Sequence, residues 1–246
     1  MTLTAIERAV LPHTHSEIRE ALHGKGYWVG SLPLTSQYSA DWNSLTAASA
    51  LLPPDLYAPG TGRYRSFDRF TARVTPVGVT LARSDQAVAY FQAADYNPEL
   101  GGVQRRYAPS SVLDPSHAVL RELTGLVLPA LADLLACPTF AINVHHVRYL
   151  ATLGAAARNS PSGLHKDGER FISVHLLGRR DIQGGTNRIA DNEQRPLSEF
   201  VLQEPADSFI IDDTRVWHAV DDIIVQPGAS RGSRDILLLD YLPDIP

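Results

Sequence analysis

Residues Pro161–Leu177 read PSGLHKDGERFISVHLL. A polar, turn-forming half runs straight into an apolar half rich in β-branched and aromatic residues, the composition of a buried strand. The segment Arg170–Gly178 is one of seven such runs that follow one another to the C-terminus: AINVHHVRYLA, RFISVHLLG, TNRIAD, EFVLQE, DSFIIDD, RVWHAV and DILLLDYL. Gly184-Gly185, Pro196, EPAD and PGASRGS separate them. Short strands punctuated by turns predict an all-β sandwich or barrel for the C-terminal half.

Upstream the period is helical. LDPSHAVLRELTGLVLPALADLLACP carries Leu120, Leu123, Val127 and Leu131 on one stripe. Asp114 is the expected N-cap, with Pro115 at the first helical position. Pro129 is expected to kink or split the helix. HSEIREALHGKG, with Ile18 and Leu22 four apart, predicts a short helix stopping at Gly24. SADWNSLTAASALL predicts a second, ended by Pro53-Pro54. Residues 61–112 read as extended and loop-rich. The fold class is therefore α+β, with helices packed outside a jelly-roll core.

Composition sets limits. Hydrophobic residues make up 44% and charged residues 20% of 246, an ordinary globular balance. The net charge of −5 gives no reason to expect nucleic acid or an anionic membrane as partner. Cys137 is the lone cysteine, so neither an intrachain disulfide nor a thiolate-built zinc site is available. The N-terminus has no signal-peptide pattern, and no apolar run approaches the ~18 residues of a membrane span. These features predict a cytoplasmic protein and leave a homo-oligomer open.

The polar half of the quoted stretch holds the chemistry. His165 and Asp167 are two apart, so on an extended chain their side chains point the same way. His218, in DDTRVWHAV, lies on a later strand. Two imidazoles and a carboxylate converging from adjacent strands form the facial set of ligands that holds non-haem Fe(II), with open positions for a chelator and O₂. Lys166 between the pair should point away. Of the two basic residues in ASRGSRDILLLDYL, Arg231 reads as a solvated loop residue. Arg234, fused to an apolar strand, can hold a carboxylate through its planar guanidinium. His175 is in phase with His165 and Asp167, so it can face the barrel interior, and it reads as a satisfied core histidine.

With these residues in place, the segment from about 142 to 241 resembles a family of bacterial iron(II)- and 2-oxoglutarate-dependent dioxygenases that hydroxylate free L-amino acids, typified by L-isoleucine dioxygenase. The family's His-X-Asp-Gly is matched by His165, Asp167 and Gly168. Its Arg-X-Asn-X-X-Gly-Gly is matched by Arg179, Gly184 and Gly185, with Asp181 in place of Asn. DDTRVWHAV and SRDILLLDY match its distal His segment and its last strand. NVHHVRYL is similar to a family strand with His145 and Arg148, and the likeness extends over roughly residues 60–242. The resemblance implies a single dioxygenase domain over 1–246, with a helical and mixed part (1–137) and a double-stranded β-helix core (138–246). It implies Fe(II) on His165, Asp167 and His218, 2-oxoglutarate on Arg234, O₂, and a small-molecule substrate such as a free amino acid. His145, Arg148, Arg179, Thr186 and Asn187 are the candidate substrate residues. His145 and Arg148 have opposite strand parity, so both face inward only across a bulge, and His146 is an alternative to His145. Where the family often has Glu-Ser after Gly-Gly, this chain has Thr186-Asn187, so isoleucine is not implied as the substrate. The segment 85–112, with Tyr90, Gln92 and Tyr96, is expected to form a lid. The competing readings are a non-catalytic β-helix binder and a cupin-type isomerase or hydrolase with another metal, which would give Arg234 no special role.

Overall fold

The computed structural model describes residues 14–33, 39–84, 89–97, 101–158 and 163–244. Helix α1 (Thr14–Lys25) buries Ile18 and Leu22, as their spacing requires. It runs past Gly24, which has no packing role, and ends at Gly26 (φ +81°), whose N–H reaches the Ala21 and Leu22 carbonyls. Helix α2 (Ser39–Ala48) passes into a tight turn, Ser49–Leu51, before Pro53-Pro54. Helix α3 (Ala118–Leu135) buries Leu120, Leu123, Val127 and Leu131. Two expectations about α3 are corrected. Asp114 does not cap it: its carboxylate accepts the Ser116 N–H and hydroxyl, each at 2.6 Å, so it closes a turn that precedes the helix. Pro129 does not split the helix, because the buried stripe holds both halves in one element despite the lost hydrogen bond.

The strands are β1 (Tyr27–Ser31), β2 (Arg63–Thr75), β3 (Gly78–Arg83), β4 (Thr139–Thr152), β5 (Phe171–Arg180), β6 (Ile182–Gly184), β7 (Thr186–Ala190), β8 (Pro196–Val201), β9 (Asp207–Asp212), β10 (Trp217–Val220), β11 (Ile223–Val225) and β12 (Arg231–Pro243). A large sheet has the order β1-β9-β5-β12-β4-β2-β3. A small sheet, β10-β7-β8, and the pair β11-β6 complete the second wall. All seven runs predicted in the C-terminal half are strands. The three-residue strands β6 and β11 are too short to show a period. Residues before 138 contribute more than a helical cover, since β2 pairs with β4 from Arg63–Tyr149 to Arg73–Thr139 and β1 pairs with β9.

Alternation along the strands sorts the large sheet into two faces. On one, Phe70, Ile142, Val144, Phe171, Leu237, Leu239 and Tyr241 pack with the buried residues of the three helices. On the other, Val147, Ile172, Val174, Phe209, Ile211 and Ile236 meet Ile189 and Phe200 of the small sheet, together with Ile182 and Ile223. Central strands covered on both sides bury both sets of alternating side chains, which is why β5 and β12 show apolar runs such as Leu176-Leu177 and Ile236–Leu239 in place of strict alternation. The two facing sheets form a double-stranded β-helix, and the second core is its interior.

His175 sits on the helix-covered face, because the turn at Gly168–Arg170 breaks its phase with Asp167. It is fully buried between the Ser173 and Ser208 hydroxyls, both at 2.8 Å. Burial pushes its pKa down to about 3. The unfolded chain therefore binds a proton below its ordinary pKa of about 6.5 that the folded chain refuses. The stability contributed by neutral His175 is complete above that pH and is lost as pH falls toward 3. Denaturant titrations of wild type and His175→Gln across pH 7 to 4 should converge by a factor of about ten in folding equilibrium per pH unit below 6.5. A pH-independent difference would contradict this account.

Candidate active site

The interior of the β-helix opens into a narrow cavity whose lining includes His165, Asp167, His218, Arg234, Asn187 and Tyr149. His165 and His218 are held side by side by backbone. Each donates its N–H to the other's carbonyl, at 2.9 and 3.0 Å, and their rings lie 4.2 Å apart. Asp167 faces both, with carboxylate oxygens 3.8 Å from His165 Nε2 and 3.5 Å from His218 Nε2. One potential ligand atom from each residue lies within 4.8 Å of the others. His165 Nδ1 is tied to the Gly163 carbonyl at 3.0 Å, which makes Nδ1 the protonated nitrogen and leaves the Nε2 lone pair for the cavity. Lys166 points away, to Asn192 Oδ1 and the Thr214 carbonyl.

Gly168 shows why this turn needs glycine. Its φ is +83°, and a Cβ would stand 2.5 Å from the Tyr96 ring. Gly168→Ala is expected to cost about 1–3 kcal/mol through backbone strain and to shift Asp167 with the turn. Thermal unfolding and Fe(II) titration would read both, and wild-type values in each would contradict it.

Neighbouring groups orient the ligands. Gln92 Nε2 donates to Asp167 Oδ1 at 3.0 Å and to the Asp167 carbonyl at 3.1 Å, while Gln92 Oε1 accepts from Arg105 and Asn97. Asp213 accepts the Gly168 N–H at 2.8 Å and lies 3.7 Å from His218 Nδ1. Burial alone would raise the pKa of Asp167, but its hydrogen bond to His218, the two imidazoles and Gln92 hold it below the ordinary carboxylate range. Burial would lower the pKa of His218, and the bond to Asp167 outweighs it and raises it. A divalent cation among the three would take the place of that proton.

Arg234 enters from near the start of β12 and is 2% exposed. Its Nε and Nη2 are buried with no hydrogen-bond partner among the described residues. Burial and the nearby Arg179 push its pKa down to about 10, the response of a cation without a counter-ion. A buried guanidinium left unpaired is costly unless a ligand completes it.

The other sequence-predicted residues divide. His145 lines the cavity, fully buried, with Nε2 3.0 Å from Asp240 and Nδ1 facing Arg65 Nη2. Burial and then Arg65 hold it neutral, well below the usual imidazole range. His146 points to the other face, where it meets Ser49 Oγ at 2.6 Å. Arg148 is a correction. Three residues from His145 it has the opposite parity, no bulge intervenes, and it forms a two-pronged pair with Asp235 at 2.6 and 2.7 Å, away from the cavity. Arg179 also lies outside the lining and donates to the Gly184 carbonyl at 3.0 Å, bracing the Gly184-Gly185 turn. That turn needs two glycines with positive φ, and a Cβ on Gly184 would meet the Asp222 carbonyl at 2.3 Å. Thr186 is likewise corrected, since its side chain does not line the cavity, whereas Asn187, of opposite parity, does.

Sequence reasoning missed Tyr149, although it continues the alternation of His145 and Val147 and stands level with Arg234. The arginine-bearing segments RYRSFDRF and GVQRRY also supply Arg63, Arg65 and Arg105 to the lining. In the expected lid, residues 85–88 and 98–100 lie outside the described residues. The described part lies against the site, with Tyr90 and Arg105 paired and both in the lining.

A family model described as 2OG-Fe dioxygenase matches residues 46–240. The chain belongs to the 2OG-Fe dioxygenase family. Accordingly it is a 2-oxoglutarate-dependent oxygenase whose chemistry requires Fe(II), 2-oxoglutarate and O₂. Its donor set suits that metal: imidazole nitrogen and carboxylate oxygen converge, and the single cysteine, Cys137, is buried elsewhere. L-isoleucine-4-hydroxylase from Bacillus thuringiensis is 26% identical over 240 residues, covering 91% of this chain and 95% of the relative. The fold superposes on a bsmA homolog from Methylobium petroleophilum PM1 with a TM-score of 0.83 at 24% identity, covering 98% of this chain and 97% of that one. It superposes on IDO from Bacillus thuringiensis with a TM-score of 0.77 at 22% identity, covering 94% and 100%. Among the described residues, no helix of this dioxygenase is long and apolar enough to cross a membrane.

Proposed function

We propose that residues 1–246 form one cytoplasmic dioxygenase domain that hydroxylates an unactivated C–H bond of a free L-amino acid or a closely related small molecule, without a nucleic-acid or membrane partner. His165, Asp167 and His218 hold Fe(II), and Arg234 holds the distal carboxylate of 2-oxoglutarate. The observation that carries this reading is the meeting, in one narrow cavity, of the His-Asp-His cluster with a buried guanidinium that has no counter-ion. The amino-acid substrate is supported by the relative named L-isoleucine-4-hydroxylase.

The bound metal and 2-oxoglutarate supply the oxidation: O₂ places one oxygen atom in succinate, with loss of CO₂, and the other in the hydroxylated product. The protein's own residues bind, orient and exclude water. Gly163 and Gln92 fix the orientation of His165 and Asp167. Val147, Val174, Phe209, Ile236 and Leu238 give the cavity a dry wall, which strengthens the charge–charge contacts inside it.

The test is a screen of the free L-amino acids for succinate release by Fe(II)-loaded protein with 2-oxoglutarate. The expected result is release well above the substrate-free background with one or a few of them. Background release with all of them would exclude a free amino acid and leave a larger or carrier-bound substrate.

A further inference from the structure

Besides Arg234, three arginines line the cavity, and their partners differ. Arg63 is neutralised by Asp55, with Nε 2.7 Å from Oδ2. Arg65 and Arg105 are 8% and 2% exposed, and neither has a carboxylate within ion-pair distance among the described residues. Arg65 is instead held by His145 through Nη2 and by the Tyr107 ring, 4.6 Å from its guanidinium carbon. Arg105 is held by Gln92 Oε1 at 2.6 Å. Both guanidinium groups lie against Tyr90, at 5.2 and 4.7 Å from its ring. On each, Nε is buried without an acceptor.

Two like charges gathered around one ring repel each other, and each pays for a desolvated N–H left unbonded. The arrangement is stable with an anion between them. Because 2-oxoglutarate already uses Arg234 and the metal, that anion belongs to another molecule. We propose that Arg65 and Arg105 form the receptor for the substrate's α-carboxylate, distinct from the Arg234 anchor. This rests on the amino-acid reading above.

His145 is then a positioning residue. A guanidinium only donates, so Nδ1 of His145 must accept from Arg65, and Nε2 must carry the proton and donate to Asp240, 3.0 Å away. Asp240 thus fixes the imidazole, and the imidazole fixes Arg65. On the other side, Arg105 reaches the metal ligand through a single side chain, since Gln92 accepts from Arg105 and donates to Asp167. Substrate carboxylate on Arg105 is therefore felt at Asp167.

The experiment compares the L-amino acid that releases most succinate with its primary amide. Wild type should prefer the acid by about 100-fold or more in kcat/KM. Arg65→Gln and Arg105→Gln should each cut kcat/KM for the acid by about 30-fold or more and the amide by under about 3-fold, the signature of a lost charge-assisted contact. An unchanged acid-to-amide ratio in both variants, or a loss confined to the KM for 2-oxoglutarate, overturns the receptor. If neither variant folds, wild type decides alone: equal use of acid and amide overturns it, and strong preference for the acid upholds it. Failure of the amino-acid reading looks different, as wild-type protein that binds Fe(II) and 2-oxoglutarate but releases no succinate with any amino acid.

Discussion

Asp167→Ala is expected to abolish succinate formation and Fe(II) retention together. Asp167 is the one carboxylate among the described residues lining the cavity, and it faces both imidazoles. Removing it leaves two neutral nitrogens to hold a dication in a buried site whose lining also carries Arg65 and Arg105. Burial should make this loss larger than at a surface site, because charge interactions are screened less there. His165→Ala and His218→Ala should behave alike, since the hydrogen-bonded bridge between them places both donors at once. Iron content after desalting and succinate per chain are the readouts, with circular dichroism confirming that the β-helix persists. Turnover retained by Asp167→Ala would remove it from the ligand set.

Arg234→Gln is expected to leave iron binding near normal and to raise the KM for 2-oxoglutarate sharply. Truncating one member of a buried, hydrogen-bonded charge pair costs about 2–5 kcal/mol, or about 30-fold to several-thousand-fold in affinity. The upper part of that range fits a side chain that is 2% exposed and has two N–H groups with no other acceptor. Lysine keeps the charge and loses the planar fork, so Arg234→Lys should fall between wild type and Arg234→Gln. Steady-state kinetics in 2-oxoglutarate at saturating Fe(II) would measure this. An unchanged KM in Arg234→Gln, with the effect appearing in Arg231→Gln instead, would move the anchor to the exposed start of β12.

What the sequence disclosed follows from how each feature is encoded. His165 and Asp167 were readable because a spacing of two on extended chain is itself a geometric statement, and His218 because an apolar strand surrounds it. Arg234 was readable because a charge fused to a buried strand demands a partner. The alternation of β4 to β12 and the stripe of α3 are periodic and so visible. Strand β2 was harder to place. RYRSFDRF directs Arg63 and Arg65 into the cavity beside β4, and a strand whose buried face carries arginine looks solvated on paper. Gln92 and Arg105 lie on loop segments with no period, so only the folded structure shows Gln92 on Asp167 and Arg105 on Gln92. Arg148 shows the converse: a resemblance placed it in the site, and strand parity puts it on the opposite face with Asp235.

The most direct measurement is an anaerobic titration of the metal-free protein with Fe(II) and then 2-oxoglutarate, followed by visible absorption. One Fe(II) and one 2-oxoglutarate per chain should bind, giving the charge-transfer band of a chelated 2-oxo acid. The band should vanish in His218→Ala and need far more 2-oxoglutarate in Arg234→Gln. Wild-type protein that takes up Fe(II) but develops no such band would contradict the assignment of this cavity as a 2-oxoglutarate-dependent iron site.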